Sequence, residues 1–144
     1  MNRLFLIDSS AWIFALGPRP VEVIRARVEE LVDHNLAAIT SPVFFELVSS
    51  EKNQAHSNLL AAHLSALHPF PLLPQEWAEA AEWTRGQRQK GHKLKTVDAL
   101  IAYKAHKHHL ILVHADADMD RIAAHANLDV ESYVRHVRSI YRSS

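Results

Sequence analysis

Carboxylates dominate the chemistry that this sequence offers. It contains no cysteine, which excludes disulfides, thiolate nucleophiles and thiolate metal sites. Asp8 ends a short apolar run, residues 4–7, and Asp116 follows a second run, residues 110–113, after His114 and Ala115. Short apolar runs of this kind read as strands buried on both faces, and ligands of open α/β sheets bind beyond the carboxyl ends of such strands. An acid at that end faces the usual site, although it equally suits the plain role of capping the next helix. Asp98 is more demanding: on a helix starting near Val97 it shares a face with Ile101, Ala102 and Ala105. A carboxylate on a buried face must be paired or hold a cation, whereas an acid in a first turn can simply answer the helix dipole. Glu46 falls beside Val43 but also near Ser49 and Ser50, where a solvated glutamate would serve equally well. Asp118 and Asp120 follow Asp116 closely and fit either a site or an ordinary first turn.

Oxygen ligands without sulfur are what Mg²⁺ or Mn²⁺ prefers. Converging carboxylates around such an ion orient a water and stabilise a phosphodiester under in-line attack. No arrangement for an activated Ser, Cys or His nucleophile is evident, so no covalent intermediate is expected. The chain has eleven histidines, with His106, His108, His109 and His114 close together, but no third ligand stands at a metal-binding spacing. Histidines at a helix C-terminus are ordinary dipole electrostatics, and His114 reads as a packed side chain. Trp12, Trp77 and Trp83 read as core or interface residues rather than base platforms.

The elements that must position these acids follow from periodicity and punctuation. Residues 21–34 predict an amphipathic helix with Val21, Ile24, Val28, Leu31 and Val32 on one side. Residues 37–40 predict a second strand, after which Ser41 as N-cap and Pro42 open the helix that carries Glu46. Residues 58–67 read as helix, 70–73 as an extended piece and 74–89 as a long helix closed by Gly91. Thr96 is suited to cap the helix that carries Asp98; residues 118–125 read as helix, 128–131 as a late strand and 135–142 as a basic tail. Strands alternating with helices predict a three-layer α/β/α architecture around a mainly parallel sheet. No repeat, linker or low-complexity stretch divides residues 1–144, so one domain is expected, and this length buries roughly 68–70% of the unfolded surface.

Sixteen Lys and Arg cancel sixteen Asp and Glu, so the formal net charge is zero. That balance excludes reliance on bulk positive charge, but it hides a local excess. Residues 85–107 contain Arg85, Arg88, Lys90, Lys93, Lys95, Lys104 and Lys107 against the single acid Asp98. Local asymmetry of this kind suits a polyanion. Lys93 and Lys95 immediately precede Asp98 and, with Arg85 and Arg88, are candidate contacts to nucleic-acid phosphates; loop solubility explains them equally well. No apolar run approaches the ~20 residues of a membrane span, and the start has too short an apolar run for a signal peptide. A cytoplasmic protein is expected.

Four blocks carry a resemblance, and they stand in the same order as in the family. "LFLIDSSAWI", "AITSPVFFELV", "GHKLKTVDALIAYKA" and "LILVHADADMDRIA" together resemble PIN-domain proteins, more narrowly the VapC-type toxin ribonucleases. The likeness spans essentially the whole chain. It implies that Asp8, Glu46, Asp98 and Asp116 form an acidic catalytic site, that Asp8, Asp98, Asp116 and Asp118 are its metal ligands, and that Ser10 assists beside Asp8. It further implies Mg²⁺ or Mn²⁺, endonucleolytic cleavage of RNA, inhibition by a VapB-type antitoxin, a homodimer, and contact with DNA only through the antitoxin. The chain departs from the family at Leu47-Val48-Ser49-Ser50, where a small residue is common, and at Met119, where an aromatic is common.

Two other classes remain open on residues alone. A metal-dependent phosphohydrolase of small molecules would want Asp-x-Asp after the first strand, and Asp8-Ser9-Ser10 lacks the second acid. A catalytically inactive PIN-like or receiver-like module that binds a partner without turnover would not need all four acids.

Overall fold

A computed structural model describes residues 2–142. Five parallel strands form one sheet in the order β3-β2-β1-β4-β5. The strands are β1 (Phe5–Ile7), β2 (Ala37–Thr40), β3 (His68–Phe70), β4 (Ile111–His114) and β5 (Val130–Ser132). Parallel neighbours need crossovers, and the helices supply them: α1 (Ser9–Leu16) and α2 (Glu22–Asp33) between β1 and β2, α3 (Ser41–Ser50) and α4 (Gln54–Ser65) between β2 and β3. After β3 come α5 (Glu76–Gln89) and α6 (Thr96–His108), after β4 comes α7 (Ala117–Ala126), and α8 (Val134–Arg142) ends the described chain.

The central strands are apolar because both of their faces are covered. Leu6 and Ile7 of β1 and Leu112 and Val113 of β4 are fully buried, and Ile24 and Leu31 of α2, Ile101 of α6 and Met119 of α7 join the same core. Strand order reverses between β1 and β4: the chain leaves β1 towards β2 on one side and returns to β4 on the other. Loops leaving two such strands diverge and open a crevice at their carboxyl ends.

Several boundaries differ from the periodicity reading. The N-cap position of α3 is Thr40, not Ser41; the Ser41 hydroxyl instead accepts the Leu72 N–H at 3.0 Å, tying the α3 start to the segment after β3. Helix α4 starts at Gln54 because Asn53 caps it through the His56 N–H, within a polar stretch that shows no apolar period. The third strand is 68–70 rather than 70–73, and Pro69 is tolerated there because β3 is an edge strand. Lys95, not Thr96, is the N-cap residue of α6. The last strand is 130–132 rather than 128–131. Val32 is exposed, so the apolar face of α2 is Ile24, Val28 and Leu31, continued by the buried N-cap residue Val21.

The basic segment does not act as one surface. Lys104 is buried between α5 and α6, with its ammonium 2.7 and 2.9 Å from the two carboxylate oxygens of Glu76. Lys107 donates to Glu79 at 3.0 Å and lies 3.2 Å from Glu76. Glu76 also accepts the Leu73 N–H at 2.9 Å, so this carboxylate ties the α5 start to α6. Two of the cations counted from sequence are therefore neutralised where the helices meet.

Candidate active site

The crevice at the β1/β4 reversal gathers acids from separate parts of the chain. Asp8 follows β1 and caps α1; its carboxylate accepts the Ser10 N–H at 3.1 Å and the Ser10 hydroxyl at 2.5 Å. The same Ser10 oxygen accepts the Ala115 N–H at 3.0 Å, so one hydroxyl joins the exits of both central strands. Asp116 follows β4 and caps α7, accepting the Asp118 N–H at 3.0 Å. Both caps foreseen as the plain alternative are real, and they leave the acids in the crevice all the same: capping occupies one carboxylate oxygen and orients the other.

Asp98, in the first turn of α6, completes the approach. One oxygen each from Asp98, Asp116 and Asp118 lies within 4.8 Å of the others, and all three residues are half-buried. The Asp98 pKa is pushed up to about 6, first by burial, then by the charges of Asp116, Asp8 and Glu46, with Lys95 opposing. Burial also raises Asp8, with a smaller contribution from Glu46. A buried carboxyl that neighbouring acids push further upward is one whose charge a bound cation would stabilise. Three hard oxygen donors converging without sulfur or a neutral imidazole fit a divalent ion of the Mg²⁺ or Mn²⁺ class.

Asp8 and Glu46 approach the same crevice, and their charges help to raise the Asp98 pKa. The Glu46 side chain is held from α1, by the Ser9 hydroxyl at 2.6 Å, while the Ser50 hydroxyl donates to its backbone carbonyl at 2.5 Å. Asp118 is steadied by Arg121, one turn on in α7, and by Lys95 at 3.6 Å. His114 is fully buried, as the packed reading required; its Nδ1 accepts the Asp116 N–H at 3.2 Å. Its Nε2 lies 3.2 Å from Asp120 without hydrogen-bond geometry, and burial lowers its pKa.

For Ser9, Arg121 and the supporting role of His114 the sequence carries only weak signals. Ser9 sits next to Asp8, and Arg121 stands three positions after Asp118, a spacing at which helix side chains meet; those were the available signals. His114 carried the weaker signal of adjoining Asp116.

A cavity of about 600 Å³ opens beside the acids, with Asp98 and Asp118 on one wall and Arg88, Lys93, Lys95 and Arg121 around it. Lys93 makes no ion pair among the described residues. Arg88 donates to the Leu94 carbonyl at 2.7 Å. Arg85 stands apart, paired with Glu82 at 2.8 Å and lining a neighbouring cavity with Trp77 and Arg88 between α5 and α6.

Fold and acids together define a known class: residues 5–125 match the PIN domain, and the chain belongs to the PIN domain family. Its curated relatives are VapC ribonucleases. The VapC ribonuclease Mb1587 of Mycobacterium bovis is 33% identical over 138 residues, covering 90% of this chain and 99% of that protein. Ribonuclease VapC21 of Mycobacterium tuberculosis is 30% identical over 134 residues, covering 91% and 94%. Among solved structures, VapBC2 from Rickettsia felis bound to a DNA fragment from its promoter superimposes with a TM-score of 0.70 at 25% identity, over 90% of this chain and 98% of that one. DNA-bound VapBC from Salmonella typhimurium shares the fold with a TM-score of 0.72 at 22% identity, over 92% and 99%.

Proposed function

We propose that this chain is the toxin of a VapBC-type toxin–antitoxin module: a metal-dependent endoribonuclease that hydrolyses RNA phosphodiester bonds. The observation that carries this reading is the convergence of Asp98, Asp116 and Asp118 beyond the carboxyl ends of β1 and β4. In this reading Asp8, Asp98, Asp116 and Asp118 hold Mg²⁺ or Mn²⁺. Such an ion, when bound, neutralises phosphate charge and lowers the pKa of water. Glu46, braced by Ser9, orients the attacking water or takes its proton. Ser10 keeps Asp8 aimed at the crevice by donating to its carboxylate from both hydroxyl and backbone. Lys93, Lys95 and Arg88 hold phosphates that flank the scissile bond, with Arg85 further along the strand. The protein works in the cytoplasm as one domain and as a homodimer, restrained by a VapB-type antitoxin through which alone it meets DNA.

The test is cleavage of RNA by the purified protein with Mg²⁺ or Mn²⁺. Asp8→Asn and Asp98→Asn should each lower cleavage beyond the roughly 10–100-fold that losing a supporting partner costs at a metal site, with circular dichroism unchanged. Equal cleavage in EDTA, or in both variants, overturns the mechanism. Mapping RNA ends after induced expression of wild type and Asp98→Asn tests catalysis and names the substrate together.

A further inference from the structure

Beyond the acids, α7 continues the crevice with a feature that the reaction scheme leaves unused. Asp118, Arg121, Ile122 and His125 stand at the spacings that share one helix face. His125 is exposed, and its ring stacks on that of His92, which follows Gly91 in the α5–α6 loop. The ring centroids are 3.9 Å apart and the planes 17° from parallel. Gly91 has φ +92°, a conformation that glycine adopts at little cost, and this turn carries His92 back towards α7. The pair borders a second cavity of about 360 Å³, which shares His92, Lys93, Arg121 and Ile122 with the cavity beside the acids. One groove therefore runs from Asp98 and Asp118 to the two imidazoles. The distance along α7 from Asp118 to His125 is about 10 Å at 1.5 Å per residue, within reach of a nucleotide next to the bond being cleaved.

We propose that the stacked His92–His125 pair is a base platform for single-stranded RNA, with Lys93 holding the phosphate of the stacked nucleotide. The proposal rests on the endoribonuclease reading and adds a subsite to it. His92 covers one face of the His125 ring, and no other ring contacts His125 among the described residues. A flat, exposed π-face beside a free ammonium is the combination that binds single strands without base readout. Partial burial and the charges of His125 and Lys90 hold the His92 pKa below 6.5.

The experiment measures binding of a fluorescent random-sequence single-stranded RNA pool and of a trinucleotide pool. It is run with Ca²⁺ in place of the activating ion, at about pH 8, above the ordinary histidine range. Wild type should favour the long pool, and His125→Ala should weaken that binding roughly tenfold, the size of one lost base–aromatic stack. His125→Tyr should restore it, whereas His125→Lys should not. Lys93→Ala should instead flatten the slope of log affinity against log salt by about 0.7, the signature of one lost phosphate contact to a single strand. Melting temperatures of the variants, matched to wild type, show that the fold is intact. If the alanine variant binds like wild type, or lysine rescues as well as tyrosine, the platform is overturned while RNA cleavage by wild type stands. If wild type neither binds nor cleaves RNA, both readings fall.

Discussion

Asp98 shows how one residue records the demands of the site. Its carboxyl titrates near 6 in the fold against an ordinary 3.8, so the folded protein favours its neutral form. Stability tied to this group is present in full below about pH 4 and is lost as pH rises through about 6. At about 1.36 kcal/mol for each pH unit that separates the two values, the loss would reach about 3 kcal/mol. Solvent screening of a half-exposed carboxyl reduces that to about 1 kcal/mol. Without divalent ions, Asp98→Asn should therefore melt about 3 °C above wild type near neutral pH. The two should coincide near pH 4, and a variant that melts lower in EDTA would contradict the crowded-acid account. Ser10 makes a complementary case. Ser10→Ala removes the donor to Asp8 and the acceptor for the Ala115 N–H at once, and chemical denaturation should show a loss of about 1–3 kcal/mol.

At the scale of elements, the α5–α6 contact turns on a buried charge pair. Lys104→Met would leave the Glu76 carboxylate buried without its main partner, and urea unfolding should show a loss of about 3–5 kcal/mol. Replacing both residues by apolar ones of similar volume, Glu76→Leu with Lys104→Met, should recover most of it. The Lys104 and Lys107 contacts and the Leu73 N–H lower the Glu76 pKa to about 2. Its contribution is therefore full above pH 4.5 and drains away as pH falls towards 2. Acid unfolding should be steeper in wild type than in the double variant, which lacks this titration. The sequence showed the seven cations of residues 85–107 as one run. It could not show which face inward, because the acids that neutralise Lys104 and Lys107 lie 28 residues earlier, on a different helix.

For the whole molecule, the reversal of strand order makes the site. Asp8 and Asp116 are 108 positions apart, yet each follows a central strand, and adjacent pairing of β1 with β4 sets them in one crevice. If the acids hold an ion only in the folded state, Mg²⁺ or Mn²⁺ at a hundred times its Kd should stabilise the protein by about 2.7 kcal/mol. Asp116→Asn should erase most of that gain in a thermal-shift titration. Expression in a bacterium should arrest growth, and Asp98→Asn should relieve the arrest; normal growth with soluble wild-type protein would count against the toxin role.

Much of this was legible in the residues themselves. Apolar runs ending in Asp8 and Asp116, the buried-face position of Asp98 and the absence of cysteine pointed to an oxygen-ligand site on a parallel α/β sheet, because periodicity and local chemistry are written along the chain. Glu46 was ambiguous because its neighbours in sequence are both apolar and polar, and what aims it is the Ser9 hydroxyl of another helix. The caps at Thr40, Asn53 and Lys95 escaped for a similar reason, since a cap depends on where the chain turns and not on which residue suits it. The zero net charge is likewise a sum that sequence states and cannot divide. Folding divides it into an acidic crevice, a buried ion-paired seam between α5 and α6, and a few cations left facing the groove. Pairings across long stretches of chain depend on which strands become neighbours, and that is a property of the assembled sheet.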